Sequence, residues 1–279
     1  MAKTKIINGN IITPYKIINN GTVIIENGKI VEVYSEVCDS SCCSNSCECS
    51  GSDEIQVIDA KGKYVAPGFI DIHTHGGGRH DFLDATVEAY LGAAEKHAQH
   101  GTTAIVPTLT TSTNEELKQT FEVYRQAKKE NTKGAEFIGL HLEGPYFAMS
   151  QKGAQDPRFI RNPKPEEYEQ ILSWSDDIVR WSAAPELDGT LEFGRRLKSK
   201  GILASIAHTD AIYEQVLDAF ESGFTHVTHL YSAMSMVRRI NAYRYAGAVE
   251  AAYLIDEMTV EIIADGSHLP ASLLKLIYK

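Results

Sequence analysis

The pattern of hydrophobic residues changes near Pro67 and divides the chain into two regions. Before that point, short runs rich in isoleucine and valine alternate with polar breaks; the runs are Lys5–Asn10, Thr22–Glu26, Lys29–Tyr34 and Gln56–Asp59. Asn-Gly pairs occur at 8–9, 20–21 and 27–28, and Asn-Gly between such runs favours a β-hairpin. Residues 1–62 are therefore predicted to form a small β domain, which has too few strands to close a core alone.

Beyond Pro67, strand-like and helix-like segments alternate. The predicted strands are Phe69–His75, Thr102–Thr108, Glu136–Glu143, Ile178–Ala184, Leu203–His208, His226–Tyr231 and Val260–Asp265. The predicted helices are Thr86–His100, Asn114–Asn131, Pro165–Ser173, Gly189–Lys200, Ile212–Ser222 and Tyr245–Leu254, with a last helix starting in Pro270–Lys279. The second helix carries clear signals, because Thr113 can cap its N-terminus and glutamates occupy its first turn. Repeated β-then-α units predict a parallel sheet.

Residues suited to chemistry follow several of these strands: His73 and His75, then Glu143, His208, His229, and Asp265 with His268. An open doubly wound sheet would place its site at one switch point between two strands. Candidates spread over five strand ends fit a closed (β/α)8 barrel of the TIM type better. Seven strands are recognisable, so residues 63–279 are expected to form a barrel that lacks its eighth strand.

Composition limits the function classes. The 279 residues carry a net charge of −10 and no long basic run, which argues against non-specific nucleic-acid binding. Apolar runs are shorter than the ~20 residues of a membrane span, and the N-terminus lacks the pattern of a secretory signal. A cytoplasmic location is therefore expected.

All five cysteines lie between Cys38 and Cys49, inside the serine-rich segment 35–53. Their spacing matches no familiar zinc pattern, and no histidine lies among them. We expect a flexible, low-complexity loop here, with a soft-metal site as the alternative.

A metal site is the main chemical hypothesis. Side chains alternate along a strand, so His73 and His75 share one face with Asp71 and can chelate one cation. Glu143, His208 and His229 each have an ordinary structural interpretation, as a turn acceptor or a core histidine. Together with the first pair they form four imidazoles and one carboxylate at one barrel mouth, a set that suits zinc or another divalent first-row ion. The remaining histidines are interpreted as surface residues (His80, His97 and His100) or strand-interior residues (His141 and His226).

Six motifs carry a resemblance to a known family: P-G-F-I-D-I-H-T-H-G, H-L-E-G-P, K-G-A-Q, A-H-T-D-A, T-H-L-Y-S-A-M and I-I-A-D-G-S-H. Together they resemble the N-acetylglucosamine-6-phosphate deacetylases of the amidohydrolase superfamily. The resemblance implies a metal-dependent TIM barrel with a small β-sandwich domain built from both chain ends. It also implies hydrolysis of N-acetylglucosamine 6-phosphate to glucosamine 6-phosphate and acetate.

The resemblance assigns roles by motif. Glu143, His208 and His229 match the ligands of the main metal, and His73 and His75 match a pair that holds a second metal in some members. One or two ions per chain are implied, with zinc expected and iron, manganese or cobalt as alternatives. Substrate-contacting positions match Ala154, Ser232, Ala233 and His268. The family's phosphate-binding arginine has no clean match here; of Arg238, Arg239 and Arg244, Arg239 is favoured. In the family this arginine reaches the substrate of the neighbouring subunit, which implies a homodimer.

Two departures from the family matter. Ser232 stands where the family usually has asparagine, which removes or shortens an amide contact to substrate. The family's catalytic aspartate lies in a T-D-A motif on the eighth strand, and nothing after His268 matches it. No catalytic residue is therefore identified, and the chain as given is expected to be inactive. The alternatives are another amidohydrolase, although strand four reads W-S-A-A-P-E without the lysine of such enzymes, or an inactive fragment.

Overall fold

A computed structural model describes residues 3–35 and 55–279. Its contacts divide the chain into two compact units, Met1–Gly68 and Phe69–Lys279. The cysteines from Cys38 to Cys49 lie outside the described residues. Within those residues, none of the helices is both long and apolar enough to cross a membrane.

The described residues of the first unit form one five-stranded sheet. Its strands are β1 (Lys3–Ile12), β2 (Ile17–Glu26), β3 (Lys29–Ser35), β4 (Ile55–Asp59) and β5 (Tyr64–Val65). The order is β3-β2-β1-β4, with β5 also paired to β1. β1, β2 and β3 are antiparallel neighbours, whereas β4 and β5 run parallel to β1. Residues 3–35 and 55–68 therefore form one sheet, which is one layer of the two that the expected sandwich requires.

The prediction of three Asn-Gly hairpins was wrong at two positions. Only Asn27–Gly28 forms a hairpin turn, between β2 and β3. The other two pairs lie inside β1 and β2, where Gly9 pairs with Gly21 and the register shifts on both sides. Asn8 and Asn20 have positive φ values, which inserts a bulge into a long strand instead of reversing the chain.

The second unit contains a parallel sheet that confirms the predicted barrel strands. Its members are β6 (Phe69–Thr74), β9 (Thr102–Leu109), β10 (Glu136–Phe137), β11 (Leu140–Glu143), β12 (Ile178–Ala183), β13 (Leu203–Ile206), β14 (Phe224–Val227) and β17 (Thr259–Val260). β10 and β11 are two pieces of one predicted strand and both pair with β9, so the parallel strands fill seven positions. The remaining strands form two small hairpins: β7 (Gly76–Gly77) with β8 (His80–Asp81), and β15 (Arg238–Ile240) with β16 (Tyr243–Tyr245).

The helices of the second unit begin and end within a few residues of their predicted bounds. They are α1 (Val87–Gln99), α2 (Asn114–Glu130), α3 (Pro165–Trp174), α4 (Thr190–Ser199), α5 (Tyr213–Glu221), α6 (Ala248–Leu254) and α7 (Ala271–Tyr278), with 3₁₀ turns at Phe82–Asp84 and Met149–Gln151. At α2, Thr113 accepts from the backbone N–H of Glu116, and Glu116 accepts from the N–H of Thr113. This capping box confirms the predicted helix start.

The two faces of the parallel sheet have different characters. One face packs against the helices through large buried side chains; Trp181 of β12, for example, lies against Phe193 of α4. The other face carries buried polar groups that bond to one another, including Ser182, Ser205 and Thr228. This polar interior leads to the strand ends, where the candidate site lies.

Candidate metal centre

Four parallel strands deliver five metal-type residues to one edge of the sheet. Glu143 ends β11, His73 lies in β6, and His75 follows β6. His208 and His229 lie two residues beyond the ends of β13 and β14. Because the carboxyl ends of parallel strands meet at one rim, residues far apart in sequence become neighbours.

The carboxylate of Glu143 is the centre of this cluster. Its Oε1 lies 3.0 Å from Nε2 of His229, 3.3 Å from Nε2 of His208 and 3.5 Å from Nε2 of His73. Its Oε2 lies 3.4 Å from Nε2 of His75. The ligand atoms form two groups that share Glu143, one with His73 and His75 and one with His208 and His229, and within each group they lie within 4.8 Å of one another.

The Nδ1 atoms of these histidines indicate what kind of ligand the cluster can bind. Nδ1 of His73 lies 2.6 Å from the Glu261 carboxylate, Nδ1 of His208 lies 2.8 Å from a backbone carbonyl, and Nδ1 of His75 lies 3.3 Å from another. These oxygens accept hydrogen bonds, so each Nδ1 carries the hydrogen and a neutral ring keeps its lone pair on Nε2. In that tautomer three lone pairs face the oxygens of Glu143, an arrangement that a cation between them stabilises and that is lost where Nε2 carries a proton instead. Imidazoles that donate from one nitrogen to an oxygen and bind through the other are typical of metal sites.

The electrostatics of the residues agree with a cation-binding site. Burial raises the pKa of Glu143, but hydrogen bonds with His208, His229 and His73 outweigh it and hold the pKa well below its usual range. Burial lowers the pKa of His73, but hydrogen bonds with Glu143 and Glu261 outweigh it and raise that pKa to about 9. A proton on His73 thus offsets the buried charge of Glu143 in the absence of an ion, and a divalent ion would take its place by displacing that proton.

Two of the histidines in the cluster have an unusual backbone conformation. His208 and His229 have φ values of 47° and 34°, in the left-handed region that non-glycine residues seldom adopt. Such conformations persist only where the surroundings fix them, and they concentrate at functional sites. Here they redirect the chain as it leaves β13 and β14.

Sequence reasoning missed Gln155, the last residue of the K-G-A-Q motif. Its Nε2 donates to Oε2 of Glu143 at 2.9 Å, and its Oε1 accepts from the N–H of Thr111 at 2.9 Å. Gln155 is buried. It therefore fixes one oxygen of the central carboxylate, and its place in a motif beside Ala154 was the available signal.

Sequence reasoning also chose the wrong carboxylate at the seventh strand. The prediction extended that strand to Asp265, but β17 ends at Val260, so Glu261 is the residue at the strand end. Glu261 bonds to His73, whereas Asp265 is exposed and pairs with His268. Backbone N–H groups of His268 and Ser267, and the His268 side chain, lower the pKa of Asp265 to about 2. The strand ends at Val260, and the next side chain, Glu261, is buried.

Asp71 and the other histidines do not belong to the two ligand groups, although the His141 ring packs edge-on against the His73 ring with centroids 4.8 Å apart. The Asp71 carboxylate accepts from the N–H of His73 and lies 3.9 Å from Nδ1 of His97. His141 and His226 are buried in strands, bonded to Ser182 and Thr259 respectively. Burial lowers the pKa of both, so each is a neutral interior ring.

The proposed substrate positions fall into two sets. A Cβ added to Gly153, the neighbour of Ala154, would lie 3.3 Å from the His208 ring and 3.7 Å from the Ala233 side chain. Ser232 is bonded through its N–H to the carbonyl of His229. In the other set, Arg239 is exposed on β15 and lies opposite Arg244 in the register of the hairpin, and His268 is bonded to Asp265. Arg238, the rejected candidate, is bonded to Asp210.

A protein-family model, the amidohydrolase family, matches residues 64–279, which is most of the chain and includes every ligand above. The chain belongs to the amidohydrolase family. This membership agrees with the barrel and with the strand-end histidines.

Several relatives carry the same name, whereas one from Escherichia coli O157:H7, 29% identical over 221 residues and covering 78% of this chain and 58% of the relative, is an N-acetylgalactosamine-6-phosphate deacetylase. The chain is 34% identical over 265 residues to N-acetylglucosamine-6-phosphate deacetylase of Bacillus subtilis, covering 92% of this chain and 62% of the relative. It is 32% identical over 268 residues to the enzyme of that name from Haemophilus influenzae, covering 96% and 65%. A mutant of the Mycobacterium smegmatis N-acetyl-D-glucosamine-6-phosphate deacetylase, solved in complex with N-acetyl-D-glucosamine-6-phosphate, superimposes with a TM-score of 0.82 at 28% identity, covering 99% and 67%. The chain thus spans about three fifths to two thirds of the length of these proteins.

Proposed function

We propose that the protein carrying this chain is a metal-dependent deacetylase that hydrolyses N-acetylglucosamine 6-phosphate to glucosamine 6-phosphate and acetate. The observation that carries the proposal is the convergence of four imidazole Nε2 atoms on the buried carboxylate of Glu143. The substrate is suggested by two relatives named N-acetylglucosamine-6-phosphate deacetylase, which are identical to this chain at about a third of the aligned positions. Residues 63–279 would form the catalytic barrel and residues 1–62 the small β domain.

The two groups of ligands suit one or two divalent ions. Glu143, His208 and His229 would hold the main ion, and His73 and His75 a second ion that shares Glu143. Imidazole and carboxylate ligands favour zinc, with iron, manganese or cobalt as alternatives. A bound ion of this kind polarises a carbonyl group and lowers the pKa of water.

The chain's own residues supply position and charge. Glu143 stays ionised, and Gln155 fixes one of its oxygens. The turns at Ala154 and at Ser232–Ala233 lie beside the ligands and would line the sugar. Arg239 and His268 would meet the phosphate, with Arg239 reaching the second copy of a cytoplasmic homodimer. Hydrolysis also requires a group that moves a proton from water to the leaving nitrogen, and no residue of this chain is assigned that role.

Metal content and acetate release test this proposal. The purified protein is expected to carry one or two zinc ions per chain and to release acetate from N-acetylglucosamine 6-phosphate. Glu143→Gln removes the shared charge and should lower both metal content and turnover, the latter by about 10²-fold or more. The 279-residue chain alone should bind metal but release acetate about 10²–10⁴-fold more slowly than the protein that carries it, because none of its residues is assigned the proton transfer.

N-acetylglucosamine without phosphate is the matched substrate control, since the phosphate supplies binding energy remote from the reaction. The proposal is wrong if protein from zinc-supplemented medium contains no metal. It is also wrong if the metal-loaded protein carrying this chain binds the phosphorylated sugar and releases no acetate.

A further inference from the structure

Glu261 is a buried carboxylate without an assigned role. It directly follows β17, and its side chain is 7% exposed. One oxygen, Oε1, lies 2.6 Å from Nδ1 of His73 and accepts from the backbone N–H of His229 at 3.1 Å. The other oxygen, Oε2, accepts from the guanidinium of Arg180 and lies 3.8 Å from Nε2 of His226. Glu261 thus touches two chain segments that carry candidate ligands.

The guanidinium of Arg180 holds the Glu261 carboxylate in place. This arginine, in β12, is 3% exposed, and its Nη2 donates to Thr228 at 2.6 Å and approaches Ser205 at 3.4 Å. Its Nη1 also approaches the carbonyl of Ile72 at 3.4 Å. A buried arginine with this many acceptors holds its partner in one orientation and keeps it ionised. An ionised carboxylate only accepts hydrogen bonds, so the shared hydrogen must lie on His73.

We infer that Glu261 is a positioning residue, which sets the tautomer and direction of His73 so that Nε2 presents its lone pair to a cation beside Glu143. The His73 ring lies between two carboxylates, with Glu261 at Nδ1 and Glu143 3.5 Å from Nε2. Without Glu261, the ring is free to place its hydrogen on Nε2 or to rotate about its side-chain bonds, and either change removes the ligand atom from the site. This inference rests on the proposed metal site.

The contacts predict which ligand transmits the effect. Glu261 reaches His229 only through the backbone N–H, and the ring of His208 is fixed by the carbonyl of Gln151 instead. Loss of Glu261 should therefore act mainly through His73. A carboxylate that merely stabilised the barrel would affect the ligands of both groups alike.

A double-mutant cycle with zinc affinity as the readout separates these roles. Glu261→Gln keeps an acceptor for His73 but removes the charge, and we expect it to weaken zinc binding about 10–100-fold, measured by competition with a chromophoric chelator. In a His73→Gln background the same change should alter affinity less than about threefold, because its partner is absent. In a His208→Gln background the 10–100-fold loss should persist. Glu257→Gln, an exposed change of the same kind, should have no effect.

A second variant guards against misfolding, since Glu261→Gln leaves Arg180 buried beside an uncharged partner. Arg180→Met combined with Glu261→Leu removes both charges and should restore the melting temperature while keeping the affinity loss. In the zinc-loaded parent, ¹⁵N NMR of the His73 ring should show the hydrogen on Nδ1, and this signal should broaden or vanish in the double variant.

The outcomes distinguish the two levels of the argument. A parent protein that binds zinc with an affinity unchanged in both Glu261 variants overturns the role of Glu261 and leaves the metal site standing. A loss that persists fully in the His73→Gln background shows general stabilisation and overturns the inference. A parent that binds no divalent ion overturns the metal site and the role of Glu261 together.

Discussion

Gln155 joins the loop that follows β11 to the centre of the candidate site. Its amide bridges the N–H of Thr111 and the Glu143 carboxylate, and it is buried. This neutral side chain fixes the position of Oε2 of Glu143 without adding charge. Orientation by uncharged neighbours of this kind affects metal affinity nearly as strongly as the ligands themselves.

Replacing Gln155 by alanine tests this bridge. The change leaves the N–H of Thr111 without its partner and frees Glu143 to rotate, so we expect about 1–3 kcal/mol lower stability and about 10–100-fold weaker zinc binding. Urea unfolding and chelator competition measure the two effects. Gln126→Ala, an exposed change on α2, is the control and should alter neither. Unchanged zinc affinity in Gln155→Ala would show that Glu143 needs no such support.

The residues of the site differ in how far sequence could reveal them. Alternation along a strand and the shared rim of parallel strands pointed to Glu143 and to the four histidines that the structure brings around it. Glu261 and Arg180 were not predicted, because their roles depend on where β17 ends and on contacts across the barrel interior. Neither a strand end nor an interior distance is encoded in local hydrophobic pattern, which is why Asp265 was chosen in place of Glu261.

At the scale of elements, local signals predicted helices well and the first unit's strands less well. The capping box of Thr113 and Glu116 acts within four residues, so it could be recognised directly. Asn8 and Asn20 show the opposite case, because an Asn-Gly pair produces a turn or a bulge according to which strand pairs beside it. The β15–β16 hairpin was missed altogether. Its turn residues Asn241 and Ala242 have positive φ values that the sequence did not signal as strongly as Asn-Gly.

One charged cluster ties together the elements around α3, and its pH dependence can be predicted. Glu167, in the first turn of α3, accepts from Arg161 at 2.6 and 2.9 Å, from Asn114 at 3.3 Å and from Tyr146 at 3.2 Å. Burial raises the pKa of Glu167, but the guanidinium of Arg161 and the other donors outweigh it and lower that pKa. A carboxyl group with a lowered pKa in the folded state stabilises the fold above its unfolded pKa, and this contribution is lost as pH falls.

Arg161→Met should therefore cost about 1 kcal/mol of stability near pH 7, a value reduced by partial solvent screening of the pair. The difference from the parent should shrink as pH falls below the unfolded pKa of ~4.5 towards the lowered pKa of the folded state. Urea unfolding at pH 7 and pH 3 measures it. Arg158→Met removes the exposed partner of Asp156 and serves as the control with no measurable change. A difference that grows at low pH would contradict the assigned cause.

At the scale of the whole molecule, the candidate ligands all belong to the second unit, Phe69–Lys279. They come from β6, β11 and the turns after β13 and β14, so the cluster exists only when distant parts of the barrel are folded together. The barrel itself could be predicted, because repeated strand–helix units leave few other topologies. The closeness of His73 to His229 could not be obtained from either segment alone.

This dependence on folding predicts that zinc stabilises the second unit. An ion that binds only the folded state adds ~2.7 kcal/mol at a hundredfold excess over its dissociation constant, which corresponds to a melting-temperature rise of about 5–10 °C for a unit of this size. Calorimetry of the chelator-treated protein, with and without added zinc, measures the shift. Magnesium prefers an all-oxygen site and should produce no comparable rise. In Glu143→Gln, which keeps the shape but not the shared charge, the zinc shift should fall below about 2 °C. An equal zinc shift in the parent and in Glu143→Gln would place the bound ion away from Glu143.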